Sequence, residues 1–346
     1  MLDVRDKASL LMRGPLGRAA LVELLGARPD VLTASVGFSL DGQLYTSKNS
    51  SGNATRSASS PLGSRVLNVE QDRSVAEFIH LFVEEHLPAL DEILRDSPDV
   101  LRRIGETVEH YAYGPAEQWQ PLRDALILAE DSISQIAEVI AARSDLAWWW
   151  EGMATQEQRW LGKPDVATPG LASTPETPIE PPNDAQRSWW WVTPVRRDLL
   201  RTTRSPIGPY PCVASVCRSG YESAQPDQLE TWAVQIPESV KVYEVLCAED
   251  WASLVKRYPR QCVNGRNSEW TRWTGSEGPW LLPDWDSVAR DFDGVHVSLA
   301  GYLGGAFRAL SVGDAKTVLV GWNPDETLWL RSGPVLSERL GVKGLS

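Results

Sequence analysis

Residues 283–303 read PDWDSVARDFDGVHVSLAGYL, and this stretch decides the fold of the second half of the chain. Asp284 stands where a helix N-cap belongs, ahead of a short run with helical spacing, and Asp293-Gly294 ends that run as a turn. The period then changes. Val295, Val297 and Leu299 alternate with His296 and Ser298, so the two sets face opposite sides of a strand. A capped helix leading straight into an alternating strand predicts an α+β unit.

Working outward, DWASLVKRY at 250–258 reads as another short helix, with Asp250 as its cap and Pro259 as its stop. Residues 189–192, 229–236 and 240–246 are rich in β-branched and aromatic side chains and read as strands, as do 317–321 and 327–330. GYLGG at 301–305 reads as turn chemistry. Fifteen of the 16 tryptophans lie beyond Asp145. Residues 188–335 are therefore expected to form a Trp-rich α+β domain with short helices and a mixed or antiparallel sheet, followed by a tail at 336–346.

Upstream the pattern is helical. Ser74 and Glu77 have capping-box spacing ahead of a face made by Val75, Phe78, Ile79, Phe82 and Val83, and Pro88 marks its end. Asp99 is placed to cap a second helix carrying Leu101, Ile104, Val108 and Tyr111. A third is expected over 121–143, with Leu122, Leu126, Ala129, Ile133, Ile136 and Ile140 in one stripe. Together these predict a small helical bundle at 66–145. Residues 146–187 read as a Trp/Pro-rich linker, with six prolines between 163 and 184. Residues 1–65 are poorly defined: a short helix near 17–25, a strand near 31–40, and a Ser/Asn/Gly-rich loop at 47–64.

A net charge of -12 argues against nucleic acid or an anionic membrane as the main partner, since both are held by clustered Lys and Arg. Arg196, Arg197, Arg201 and Arg204 make the one dense basic patch. No stretch approaches the roughly 20 apolar residues of a membrane span, and the N-terminus lacks a secretory h-region. The four cysteines include no CxxC pair and read as reduced thiols. The expected location is the cytoplasm.

GxxxxGK[ST], GxSxG and HExxH are all absent. Three constellations carry the functional argument. The Trp triplets at 148–150 and 189–191 fill a core or offer a platform on which a flat ligand stacks; Trp190 and, beside Gly321, Trp322 are the candidate stacking rings. His296 follows Asp293 by three residues, which suits either a general base or a structural histidine bonded to that carboxylate. Finally, Thr203 and Arg204 on an early strand and Glu326 on a late one are parts that NAD-dependent ADP-ribosyl transfer uses. In that scheme Arg204 grips the pyrophosphate, the rings clamp nicotinamide, and Glu326 stabilises the ribosyl cation. On this reading the catalytic set is Glu326, His296 and Asp293, the cofactor set is Arg204, Thr203, Trp190 and Trp322, and NAD is the candidate cofactor. No metal set is visible.

RGPLGR at 13–18, VYEVLCAEDWASLVKRYP at 242–259, the opening stretch at 283–303 and GWNPDETLWL at 321–330 resemble an actinobacterial family of uncharacterised proteins. That resemblance implies the domain boundary and a bacterial cytosolic origin; it supplies no catalytic residue. The order of an early arginine, a strand-helix middle and a late carboxylate strand is loosely similar to ADP-ribosyltransferase folds, although a Ser-Thr-Ser strand and a Glu-x-Glu pair are missing. Two functions follow. One is a binding or regulatory protein that recognises a small molecule or a protein partner through the Trp-rich domain. The other is an NAD-dependent, ADP-ribosyltransferase-like enzyme.

Overall fold

The computed structural model describes residues 2–27, 69–113, 116–162, 179, 191–194, 199–204, 228–262, 266–331 and 333–344. Helices α1 (Val4–Met12), α2 (Pro15–Leu24), α3 (Val69–His86), α4 (Leu90–Ile93), α5 (Ser97–Tyr113), α6 (Ala116–Leu128) and α7 (Glu130–Ala142) form the helical part. The short helix expected near residue 17 is α2, opened by Pro15 in its first turn. The strand expected at 31–40 and the loop at 47–64 lie outside the described residues.

The helix starts differ from expectation. α3 begins at Val69, so Ser74 lies inside it and not at its N-cap. In α5 the capping oxygen belongs to Asp96, which accepts from the Asp99 amide at 3.2 Å. Asp99 lies within the first turn, and its carboxylate is held by Arg102 and Arg103. The single helix expected over 121–143 is two. It starts earlier, at Ala116, and breaks at Ala129, whose ψ of 13° leaves the helical range.

The second half is α+β, as the alternating pattern predicts. Strands β1 (Gln158–Gly162), β2 (Arg201–Arg204), β3 (Gln228–Gln235), β4 (Val242–Val245), β7 (Gly294–Val297), β10 (Glu326–Trp329) and β11 (Val335–Gly344) form a seven-stranded sheet in the order β11-β3-β1-β2-β10-β7-β4. Every pairing is antiparallel except β4 with β7. β1 comes from the span read as linker, and β11 from the span read as tail. Of the strand expected at 189–192, Trp191 and Val192 are irregular and the rest lies outside the described residues. Two small antiparallel pairs stand apart from this sheet, β5 (Pro259–Gln261) with β6 (Leu281–Pro283) and β8 (Leu310–Val312) with β9 (Ala315–Thr317), and the expected strand at 317–321 ends at Thr317, the last residue of β9.

Helices α8 (Ala248–Arg257), α9 (Arg266–Thr274), α10 (Trp285–Asp291) and α11 (Leu299–Gly305) accompany the sheet. Asp284 caps α10 as expected, accepting from the Ser287 amide. Asp250 does not cap α8 directly. It is the third helical residue, and its carboxylate reaches back to the amides of Leu246 and Cys247 at 2.9 and 3.0 Å, closing a capping box on Cys247.

GYLGG is helix, not turn: all five residues lie in α11 and are buried. Packing explains the glycines. A Cβ on Gly301 would sit 2.5 Å from the Val245 carbonyl oxygen, and one on Gly304 only 2.1 Å from that of Leu10. The backbones of α11, β4 and α1 meet where no methyl group fits. One apolar cluster consequently runs from Leu11, Leu16 and Ile136 through Trp149 to Trp251, Leu303 and Leu328. No helix among the described residues is long and apolar enough to cross a membrane.

Candidate functional site

Two register facts organise the sheet's polar residues. Thr327 of β10 is paired with His296 of β7, while its neighbour Glu326 is paired with Val297. Successive residues of a strand point to opposite faces, so His296 and Glu326 are turned away from each other. The same alternation in β2 puts Thr202 and Arg204 on the His296 face, and Arg201 and Thr203 on the Glu326 face.

On the first face His296 is 1 % exposed and bonded at both ring nitrogens. Nδ1 lies 2.6 Å from Glu244 Oε2, and Nε2 lies 3.4 Å from Asp325 Oδ1. Burial opposes the charged ring, yet hydrogen bonds to Asp325 and Glu244 and the charges of both outweigh it, raising its pKa to about 9. At neutral pH it is an imidazolium that donates from both nitrogens. The chain continues outward. Asp325 Oδ2 is 3.7 Å from Arg204 Nε, and Arg204 Nη1 is 3.8 Å from Glu157. The Arg204 guanidinium also lies over the Trp148 ring, 5.1 Å from its centroid. Five charges of alternating sign thus run from half-buried Glu244 to exposed Glu157.

Local backbone holds this arrangement. Asp325 has φ 54°, a left-handed conformation that Asp tolerates at a cost of about 1 kcal/mol and that aims its carboxylate back at β7. The Met153 amide donates to Glu244 Oε1 at 3.1 Å. Gly152 packs tightly beside it: a Cβ there would stand 3.0 Å from the Glu244 carboxyl carbon, so the carboxylate would have to shift slightly. Deeper along the face, Thr202 Oγ1 accepts from Trp329 Nε1 at 2.9 Å and donates to Gln158 Oε1 at 2.6 Å. Trp160, Leu200, Val234 and Trp329 form a small apolar cluster around these groups.

On the opposite face Glu326 is fully buried and accepts from Arg201 Nη1 at 2.9 Å and Asn323 Nδ2 at 3.2 Å. Thr203 Oγ1 donates to the Asp325 carbonyl at 2.8 Å.

The sequence-derived set is therefore split. His296 and Arg204 share one network, joined through Asp325. Glu326 lies across the sheet from them, with Thr203 beside it. Asp293 is not a partner of His296: it stands at the other end of β7, where Oδ2 accepts the Lys241 amide at 2.8 Å. Trp322 is not open to a flat ligand. It is 2 % exposed, packed against Trp251 and Trp285 with centroids 6.1 and 6.0 Å away, and bonded through Nε1 to the Glu326 carbonyl. Trp190 lies outside the described residues. Glu244, which holds His296, and Arg201, which holds Glu326 on the other face, were not among the candidate residues. Glu244 carried a readable signal, a carboxylate between Tyr243 and Val245 in a strand otherwise apolar. No group of three or more His, Cys, Asp or Glu among the described residues is placed to hold a metal.

The fold and this network define the class: an α+β protein with a helical N-terminal part and an internal charge chain across a mixed sheet. Comparison with known protein families, with curated proteins and with solved structures finds no match.

Proposed function

We propose that this is a non-catalytic binding or regulatory protein, working in the bacterial cytoplasm and recognising a small molecule or protein partner through its Trp-rich half. One observation carries the reading. Both nitrogens of His296 are engaged by carboxylates, so the ring has neither a free lone pair nor an unshared proton to offer a substrate. Glu326, the carboxylate that ribosyl transfer would need, faces away from Arg204 and is already held by Arg201 and Asn323. The outer end of the network is the recognition point in this reading: Arg204, stacked on Trp148 and mostly buried, between Asp325 and the exposed Glu157. The free thiol of Cys247 agrees with a reducing compartment.

The test is incubation of the purified chain with NAD, following nicotinamide release. Wild type is expected to release no more than buffer alone. Turnover that Glu326→Gln abolishes would overturn the reading and favour the enzyme.

A further inference from the structure

The C-terminal ends of two helices meet near β4. α8 closes on Arg257 with Tyr258 as its C-cap, and α10 closes on Asp291 with Phe292 as its C-cap. The Arg257 guanidinium lies against both rings, its central carbon 5.0 Å from the Tyr258 centroid and 5.6 Å from that of Phe292. Its Nη2 donates to Asp291 Oδ2 at 2.8 Å, and the Tyr258 hydroxyl donates to the same oxygen at 2.5 Å. Two rings and one carboxylate thus surround a single cation that touches all three.

The walls and the occupant are held differently. Tyr258 is 8 % exposed, and its hydroxyl is fixed on Asp291. Phe292 packs edge-on to Tyr243 with centroids 5.2 Å apart, and the Tyr243 hydroxyl donates to the Asp250 carbonyl at 2.8 Å. The hydrogen bond from Tyr258 and the charges of Arg257 and Lys241 hold the Asp291 carboxyl below its ordinary pKa, so it is ionised at neutral pH. The Arg257 side chain, by contrast, is 57 % exposed, and its partner Asp291 is 46 % exposed. Cation–π contacts and ion pairs so open to water are weak, and a long side chain loses rotamer freedom to keep them. Arg257 can therefore swing out while the rings stay in place. The exposed carbonyls that end α8 add partial negative charge to the same spot.

We propose that Tyr258, Phe292 and Asp291 form a receptor for a weakly hydrated organic cation, a quaternary ammonium or alkylated amine group, and that Arg257 is its resident, displaceable occupant. Ring faces attract such a cation, which surrenders little hydration on entry, and the carboxylate supplies the counter-charge. Self-occupancy sets the threshold, because the apparent affinity falls by the fraction of molecules whose Arg257 is in place. The receptor is independent of the recognition point at Arg204. Tyr243, which backs Phe292, pairs with Val295, whereas the next residue, Glu244, pairs with His296 on the other face of the sheet.

The experiment is an NMR titration of the full chain with tetramethylammonium chloride, against sodium chloride at matched ionic strength, following the aromatic resonances of Tyr258 and Phe292. Wild type is expected to give saturable shifts in both rings with tetramethylammonium alone. Arg257→Ala removes the occupant and is expected to bind about tenfold more tightly. Arg339→Gln, on the opposite edge strand β11, removes the same charge and is expected to leave affinity unchanged. In the Arg257→Ala background, Phe292→Leu is expected to weaken binding about tenfold. Should that variant fail to fold, the exposed Asp291→Asn serves in its place with the same expectation. Wild type without saturable ring shifts overturns the proposal. So does an Arg257→Ala affinity no higher than that of wild type, or binding that neither wall variant weakens.

Discussion

His296 and Glu326 belong to paired strands, offset by a single register step, and that step puts them on opposite faces of the sheet. Each has then acquired its own hydrogen-bonding partners. His296 takes Glu244 and Asp325; Glu326 takes Arg201 and Asn323. Residues that a linear reading gathers into one active site are thereby separate anchors for the two faces. Asp325 joins the systems mechanically, since its carboxylate serves His296 while its carbonyl takes Thr203 from the other face.

The imidazolium makes stability depend on alkaline pH. With a folded pKa of about 9 against 6.5 for a free histidine, His296 favours the folded state while protonated. Its contribution is whole below pH 6.5 and is lost as pH rises through 9. The full effect is on the order of 3 kcal/mol. Urea unfolding of wild type and His296→Gln at pH 6 and pH 10 isolates it, because other titrating groups are common to both proteins. The stability gap between them is expected to be larger at pH 6. A gap that does not change with pH would mean that the ring is neutral when folded.

Thr202 tests whether the hydroxyl relay on that face is a unit. Thr202→Val keeps the shape and leaves the Trp329 indole N–H and the Gln158 amide oxygen without the partner each has there. Each buried group so stranded costs about 1 to 3 kcal/mol. We expect Tm to fall by several degrees, with the circular dichroism spectrum unchanged. Double replacement with Trp329→Phe should cost less than the two single changes added together.

Elements whose side chains alternate or recur at helical spacing were legible in the sequence. The Val295 and Val297 alternation became β7, and the Ile133, Ile136 and Ile140 stripe became the buried face of α7. Relationships set by tertiary contact were not. Gly301 and Gly304 look like turn formers until Val245 and Leu10 are seen against them. Asp293 looks like the partner of His296 because it is near in sequence. The true partners come from β4, 52 residues away, and from the turn before β10, 29 residues away. Strand pairing selected them, and no local spacing encodes it.

Close packing at α11 gives a sharper stability prediction. Gly304→Ala places a methyl carbon 2.1 Å from the Leu10 carbonyl oxygen, and the obstacle is backbone, which cannot swing aside as a side chain does. α1 must shift off α11. A loss of about 3 kcal/mol is expected, at the upper end of overpacking costs. Chemical denaturation measures it. Hydrogen exchange should show weakened protection in α1 and α11 before the central strands are affected. A variant as stable as wild type would show that α1 is not held against α11 in solution.

Cys247 should be a slow nucleophile despite standing at a helix N-terminus, where thiols are ordinarily activated. Burial raises its pKa to about 11, and the adjacent Asp250 carboxylate, 3.3 Å from Sγ, opposes the thiolate as well. Against an ordinary thiol of pKa 9.0, that shift lowers the thiolate fraction at pH 8 about a hundredfold. Alkylation of the folded protein with iodoacetamide, followed by peptide mass mapping, should show Cys247 labelled far more slowly than in urea. Asp250→Asn removes the neighbouring charge while keeping a side-chain acceptor for the Cys247 amide, so labelling should accelerate. Rapid labelling of Cys247 in the native wild type would mean that the end of α8 opens readily and that its capping box contributes little to holding it closed.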